Sequence, residues 1–107
     1  ANAAGPGGLT PLMWCAMRGD VPTLRALIDA GANVNARNER NGTALIEAAA
    51  KGHERIVEAL LAAGADVTVI DADERTALDW AMQRGRQECA ELLGDAFEKA
   101  MMGAADA

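Results

Sequence analysis

The chain contains 107 residues, of which 50% are hydrophobic, 24% are charged and only 3% are aromatic. This composition predicts one soluble globular domain, and the scarcity of aromatic residues argues against a β-sandwich or a β-barrel. The net charge of −6 disfavours nucleic acid as a partner, because duplex binding depends on cationic side chains that neutralise phosphates. No apolar run approaches the roughly 20 residues that a transmembrane helix requires, so we expect no membrane span.

A repeat with a period of 33 residues organises most of the chain. Its three copies begin TPLMWCAMRGD, TALIEAAAKGH and TALDWAMQRGR, starting at Thr10, Thr43 and Thr76. The leucine two residues later and the glycine nine residues later recur in every copy. Self-similarity at a fixed period of this length is the signature of a repeat protein, in which neighbouring units bury each other's apolar faces.

Each copy predicts two helices separated by a tight turn. The threonine can cap the first helix, and the glycine can end it with a positive φ. We predict first helices at 11–18, 44–51 and 77–84, and second helices at 21–30, 54–63 and 86–102, with polar loops between the copies. The last helix is expected to continue through Glu98 and Lys99, because Phe97 replaces the glycine that ends the two earlier second helices.

The repeat resembles the ankyrin family, whose signature begins T-P-L-H-x-A, and the resemblance covers residues 9–102. It implies an all-α fold, an ankyrin-repeat α-solenoid of stacked helix–turn–helix pairs joined by projecting β-hairpin-like loops. We expect one repeat domain at 9–102, with repeats at about 9–40, 41–73 and 74–102. A flexible N-terminal segment at 1–8 and a C-terminal tail at 103–107 would flank it.

Two departures from the family pattern predict local irregularity. The histidine of the signature is replaced by Met13, Ile46 and Asp79, and we expect reduced regularity around Asp79, which cannot pack as the other two can. Asn41 and Glu74 occupy a loop position that is usually glycine in the family, which predicts a shifted turn.

The residues offer little for catalysis. His53 is the sole histidine of the sequence, and we interpret it as a residue that hydrogen-bonds at the entry of its helix. Cys15 and Cys89 are interpreted as buried inert thiols, two repeats apart and too distant for a disulfide. We expect no catalytic residues, no metal and no cofactor.

The family resemblance implies a non-catalytic protein–protein interaction module that binds through the concave face of its first helices and through its loop tips. Residues four apart share a helix side, which aligns tryptophan, glutamate and basic residues on that face. The partner would be a protein or peptide segment with acidic and apolar features. The alternative is that both tryptophans cover the alanine-rich seam between helices. The candidate binding residues are Trp14, Met17, Arg18, Glu47, Lys51, Trp80, Gln83 and Arg84 on the helices, with Arg37, Arg40, Ile70 and Arg75 in the loops.

A second functional hypothesis is that the chain is a targeting or regulatory segment of a larger enzyme whose catalytic domain lies elsewhere. The first repeat reads as an interior unit, which favours a further repeat upstream. We expect an intracellular, cytoplasmic or nuclear, monomeric domain.

Overall fold

The computed structural model describes the backbone of residues 5–106, and that part of the chain is helical without any strand. A single 3-10 turn at Pro6–Gly8 precedes six α-helices. Residues 1–4 of the predicted N-terminal segment and Ala107 of the predicted tail lie outside the described residues. The helices are α1 (Pro11–Arg18), α2 (Val21–Asp29), α3 (Ala44–Lys51), α4 (Glu54–Ala62), α5 (Ala77–Gln83) and α6 (Gln87–Asp106).

The helix boundaries follow the sequence signals closely. Each repeat threonine accepts a hydrogen bond through its Oγ1 from the backbone N–H three residues later, at 3.3 Å in α1 and α3 and 3.2 Å in α5. The observed ends agree with the predicted ends within one residue, except in the last helix. Helix α6 does pass Glu98 and Lys99 as predicted, but it also continues beyond residue 102 to Asp106.

Asp79 has a role that the sequence analysis did not anticipate. Its Oδ2 accepts a hydrogen bond of 3.0 Å from the backbone N–H of Thr76, which completes a capping box at the start of α5. Met13 and Ile46 are instead buried in the core. Helix α5 begins at the residue equivalent to the first residues of α1 and α3, so its start is as regular as theirs, and it ends one residue earlier, at Gln83.

The helices form two rows of neighbours. Helix α3 packs against both α1 and α5, and α4 packs against both α2 and α6, while the two helices of each repeat also contact each other. The alanines between them have no exposed surface, which lets helix axes approach to about 8–10 Å. These fully buried alanines, which explain the apolar composition, are Ala16, Ala48, Ala49 and Ala81.

The loops end in three turns that we call tip 1 (residues 5–9), tip 2 (38–42) and tip 3 (71–75). In each tip the first backbone N–H donates to the last carbonyl, at 2.8, 2.9 and 3.1 Å in chain order. Successive tips are also bonded to each other. The N–H of Glu39 donates to the carbonyl of Gly7 at 3.0 Å, and that of Ala72 donates to the carbonyl of Arg40 at 2.8 Å.

The prediction of a shifted turn at Asn41 and Glu74 is wrong. Their φ angles of 61° and 62° match the positive φ of Gly8, the equivalent residue of tip 1. The three tips therefore share a positive φ at this position, although tip 1 has a second one at Gly7, with a φ of 74°. The side chains of Asn41 and Glu74 adopt a left-handed backbone that costs a non-glycine residue about 1–2 kcal/mol. Asparagine tolerates this conformation better than glutamate does.

His53 does not cap its own helix, which corrects our interpretation of its role. Helix α4 has no side-chain cap, and the Nε2 atom of His53 instead lies 3.1 Å from the carbonyl oxygen of Met17 in the preceding repeat. Arg86 repeats this contact one repeat later, with Nε 3.4 Å from the carbonyl oxygen of Ala50. Gly52 beneath Arg86 has a φ of 78°, a backbone region that favours glycine, and a Cβ there would lie 2.7 Å from the Arg86 Cδ, so the arginine side chain would have to shift.

Candidate protein-binding surface

Three basic residues lie at the C-terminal ends of the first helices, one in each repeat. Arg18 and Lys51 occupy the last turns of α1 and α3, and Arg84 follows the last residue of α5. All three are exposed, and none forms an ion pair with another described residue. Because their helices are neighbours, the cations follow one another at steps of about 10 Å, despite the acidic total charge of the chain.

The two tryptophans have different surroundings although they occupy the same repeat position. Trp80 is half-buried, and its indole Nε1 donates a hydrogen bond of 2.6 Å to Asp71 Oδ2. The guanidinium carbons of Arg75 and Arg84 lie 5.0 and 5.4 Å from its ring centre, within cation–π range. Trp14 is 49% exposed and has no comparable contact with the described residues.

Asp71 connects tip 3 to helix α5. Its Oδ1 accepts hydrogen bonds from the backbone N–H groups of Asp73 and Arg75, at 2.9 and 3.1 Å. Its Oδ2 binds the Trp80 indole. Both carboxylate oxygens are therefore used, and the tryptophan is held at a defined position beside the tip.

A cleft of about 210 Å³ lies between α3, α5 and tips 2 and 3, and we call it the tryptophan cleft. It brings together five of the twelve binding residues predicted from the sequence. Around these lie Gly42, Ile46, Ala50, Asp71 and Asp73. The five predicted residues in the lining are Arg40, Glu47, Lys51, Trp80 and Arg84.

Glu47 lies in the lining of this cleft as a half-buried carboxylate. Burial raises the pKa of Glu47, and the negative charge of Asp71 adds to that effect. The positive charges of Lys51 and Arg40 lower the pKa in opposition, but the desolvation by burial is the largest influence. Glu47 accepts no hydrogen bond from a described residue, so its carboxylate faces the cleft without a donor.

The remaining predicted residues lie outside the cleft lining. Arg37 braces the loops, because its guanidinium donates to the carbonyl of Asn41 at 3.3 Å and to that of Ile70 at 2.5 Å. The Ile70 side chain is 47% exposed. Arg75 reaches the surface as a partner of the Trp80 ring. Four further residues lie on α1 and α5 away from the lining, namely Trp14, Met17, Arg18 and Gln83.

The groups with catalytic potential are occupied or buried. The His53 ring contacts the Met17 carbonyl, as described above. Burial raises the pKa of both Cys15 and Cys89, which are free thiols in the interior. Among the side chains that the structure describes, no three histidines, cysteines or carboxylates form a cluster that could hold a metal ion. None of the described helices has the length and apolar content to cross a membrane.

The chain belongs to the ankyrin-repeat family. A family model of ankyrin repeats matches residues 12–102 in three copies, which is most of the sequence. Ankyrin repeats are generally protein–protein interaction modules, and the family is typically non-catalytic. A comparison with curated proteins finds no match.

Proposed function

We propose that this chain is a non-catalytic protein–protein interaction module that binds a protein or peptide segment along the exposed face of α1, α3 and α5 and at the loop tips. The tryptophan cleft is the observation that carries this proposal. It combines an aromatic wall with exposed cations that have no ion-pair partner among the described residues. Tryptophan and arginine are the residue types enriched among the hot spots of protein interfaces.

The same proposal includes the architecture implied by the family. We infer that the three helix pairs form an α-solenoid with hairpin-like tips. This inference is supported by the contacts of α3 with both α1 and α5, and by the backbone hydrogen bonds that connect each tip to the next. In such a stack the first helices and the tips form one continuous binding surface.

The charges around the cleft favour a partner with acidic and apolar groups. Its exposed side chains include Arg40, Lys51 and Arg84 against one exposed carboxylate, that of Asp73. The other two carboxylates, of Glu47 and Asp71, are half-buried. The charges of the lining balance in number, but an acidic side chain approaching from solvent meets more exposed cations than exposed carboxylates, and the Trp80 ring offers apolar contact beside them.

The contacts and the burial of the histidine and the two cysteines support a non-catalytic role. The histidine ring bridges two repeats, and both thiols are held protonated in the interior by burial. We further propose that the domain acts as a monomer inside the cell, where its two cysteines would remain reduced.

The test is a comparison of two charge-matched double variants. Partners are first captured from a native lysate with the unaltered chain, identified by mass spectrometry and purified. Affinity is then measured by calorimetry for Lys51→Ala with Arg84→Ala, which removes two cations beside the cleft. The expected result is a loss of about tenfold, since two desolvated charge contacts disappear from the interface.

Arg25→Ala with Arg55→Ala is the matched control. Both arginines are exposed on the second helices, so the total charge changes equally while the cleft stays intact. The control should bind with less than about a twofold change. Equal losses in the two variants, with unchanged circular dichroism, would reject the tryptophan cleft as the binding site.

A further inference from the structure

A second groove lies between α4, α6 and the loop around residue 66, formed by elements other than α1, α3 and α5. Its volume is about 520 Å³, within the roughly 300–1,000 Å³ typical of binding pockets. Leu61 and Leu92 are half-buried in its walls, and Val67 is buried at the edge of the core. The lining thus exposes two leucines to solvent along a path bounded by helices.

The last helix makes this groove longer than its counterpart in the preceding repeat. Helices α2 and α4 end just before Gly31 and Gly64, whereas Phe97 stands at the equivalent position of α6 and the helix continues. The additional turns bring Lys99 and Ala100 into the lining, opposite the loop at residues 65–67. The groove is therefore a product of the atypical third repeat.

Carboxylates dominate the rim of the groove. Glu58, Asp66 and Asp95 are exposed there, against the single cation of Lys99. Hydrogen bonds to Asp66 Oδ1 from the Thr68 hydroxyl at 2.6 Å and the Thr68 N–H at 2.8 Å lower the pKa of Asp66. None of the three carboxylates forms an ion pair with another described residue.

The equivalent groove of the preceding repeat, between α2 and α4, lacks the acidic residues at two of these positions, so the acidic rim is not a feature of every repeat. Between α2 and α4, Arg25 stands at the position of Glu58, and Ala62 at the position of Asp95. The counterpart is lined by one arginine and by Asp29, so its charges cancel. From the preceding groove to this one, a basic and a neutral position both become acidic, and Leu92 replaces Ala59 in the apolar lining.

We propose that the groove between α4 and α6 docks a basic amphipathic helix of a protein partner. Its apolar side packs on Leu61 and Leu92, while its lysine or arginine residues meet Glu58, Asp66 and Asp95. A helix suits the groove because apolar anchors at i, i+3 and i+4 spacing match walls that are themselves helical. This surface is separate from the tryptophan cleft, so the two sites can be occupied independently.

The experiment is a titration of the ¹⁵N-labelled chain with a 14-residue amphipathic peptide of leucine and lysine, at about 0.15 M salt so that long-range attraction is screened. Chemical shifts should change at the amides of Leu61, Leu92 and Ala96. In Glu58→Arg with Asp95→Ala, which installs the residues of the preceding groove, the affinity should fall about tenfold. The fold should tolerate both changes, because the equivalent positions of α2 and α4 already carry these residues.

The matched control is Glu91→Arg with Glu98→Ala, which alters the net charge equally on exposed positions of α6 outside the groove. It should retain the affinity within about twofold. Equal weakening in this control would overturn the proposal by showing nonspecific attraction to an acidic chain. Equally tight binding of a leucine–glutamate peptide would also overturn it, as would self-association of the chain through this groove in sedimentation experiments.

Discussion

The first and third repeats carry a tryptophan at the same position, but the two side chains differ in their contacts and in their exposure to solvent. Trp80 is bonded to Asp71 and lies beside Arg75, both in tip 3. The positions equivalent to that aspartate and arginine in tip 1 are Gly5 and Leu9, which offer neither a carboxylate nor a cation. Trp14 accordingly keeps about half of its surface exposed.

This difference shows that the helices and the tip of a repeat have separate roles in forming the surface. The helices and their caps repeat with little change, and they determine where each side chain starts. The tip residues determine whether that side chain is held in place by contacts, as Trp80 is, or remains exposed, as Trp14 does. The tryptophan cleft therefore depends on tip 3 as much as on the helix that carries the ring.

The largest expected effect is the contrast between Trp80→Ala and Trp14→Ala. We expect Trp80→Ala to lower the free energy of unfolding by about 2 kcal/mol, because it removes a half-buried ring and leaves Asp71 Oδ2 without its donor. Trp14→Ala should cost less than about 1 kcal/mol. Urea unfolding curves of the two variants measure the difference.

Trp80→Phe separates the contribution of the buried ring from that of the hydrogen bond, since it retains an aromatic ring and removes the indole N–H. It should cost about 1 kcal/mol, less than the roughly 1.5–3 kcal/mol of a hydrogen bond to a charged group, because the site is partly exposed to solvent. Equal losses for Trp80→Ala and Trp14→Ala would contradict the idea that tip 3 fixes its tryptophan.

A smaller effect concerns the tips themselves. Glu74 adopts a φ of 62° where tip 1 has Gly8. Glu74→Gly relieves this strain, and the gain should exceed the added entropy of the unfolded chain, for a net increase of about 0.5–1 kcal/mol in unfolding free energy. Asn41→Gly in tip 2 is the matched control and should be close to neutral, because asparagine accepts this backbone region. Thermal unfolding that ranked the two variants the other way would refute this explanation.

The smallest expected change in the free energy of unfolding is that of a substitution at Glu47, which occupies in the second repeat the position of the two tryptophans. Burial raises the pKa of Glu47 in the folded chain, so its ionisation opposes folding. The stability present when the carboxyl is protonated is lost as pH rises through the raised pKa. Glu47→Gln should thus stabilise the chain at pH 7 by a few tenths of a kcal/mol, after allowance for solvent screening.

This gain should vanish below about pH 4, where the carboxyl is protonated in both the folded and unfolded chains. Glu98→Gln, which removes one carboxylate from an exposed turn of α6, serves as the control and should not stabilise the chain at pH 7. A gain for Glu47→Gln that grew on acidification would contradict the assigned direction. Urea midpoints measured from about pH 3 to pH 8 provide the comparison.

The periodic features were predictable from the sequence because their causes are local. A threonine cap, a glycine end and apolar helical spacing act within one repeat, so the helix positions follow from them. The contact between Asp71 and Trp80 was not predictable in this way, since it joins a tip to a helix and is absent from the other two repeats. The bridge from His53 to Met17 likewise depends on how one repeat packs on the next.

The bridges made by His53 and Arg86 have a consequence for how such a chain can be lengthened. Each residue reaches a carbonyl 36 positions earlier, so a junction is specified by atoms of two adjacent repeats. An inserted copy of residues 41–73 would carry both the histidine and the acceptor carbonyl at the required places. Each insertion would extend the row of first helices by about 10 Å. The span of partner that the surface can cover would then increase in units of one repeat, while the chemistry of every junction stayed the same.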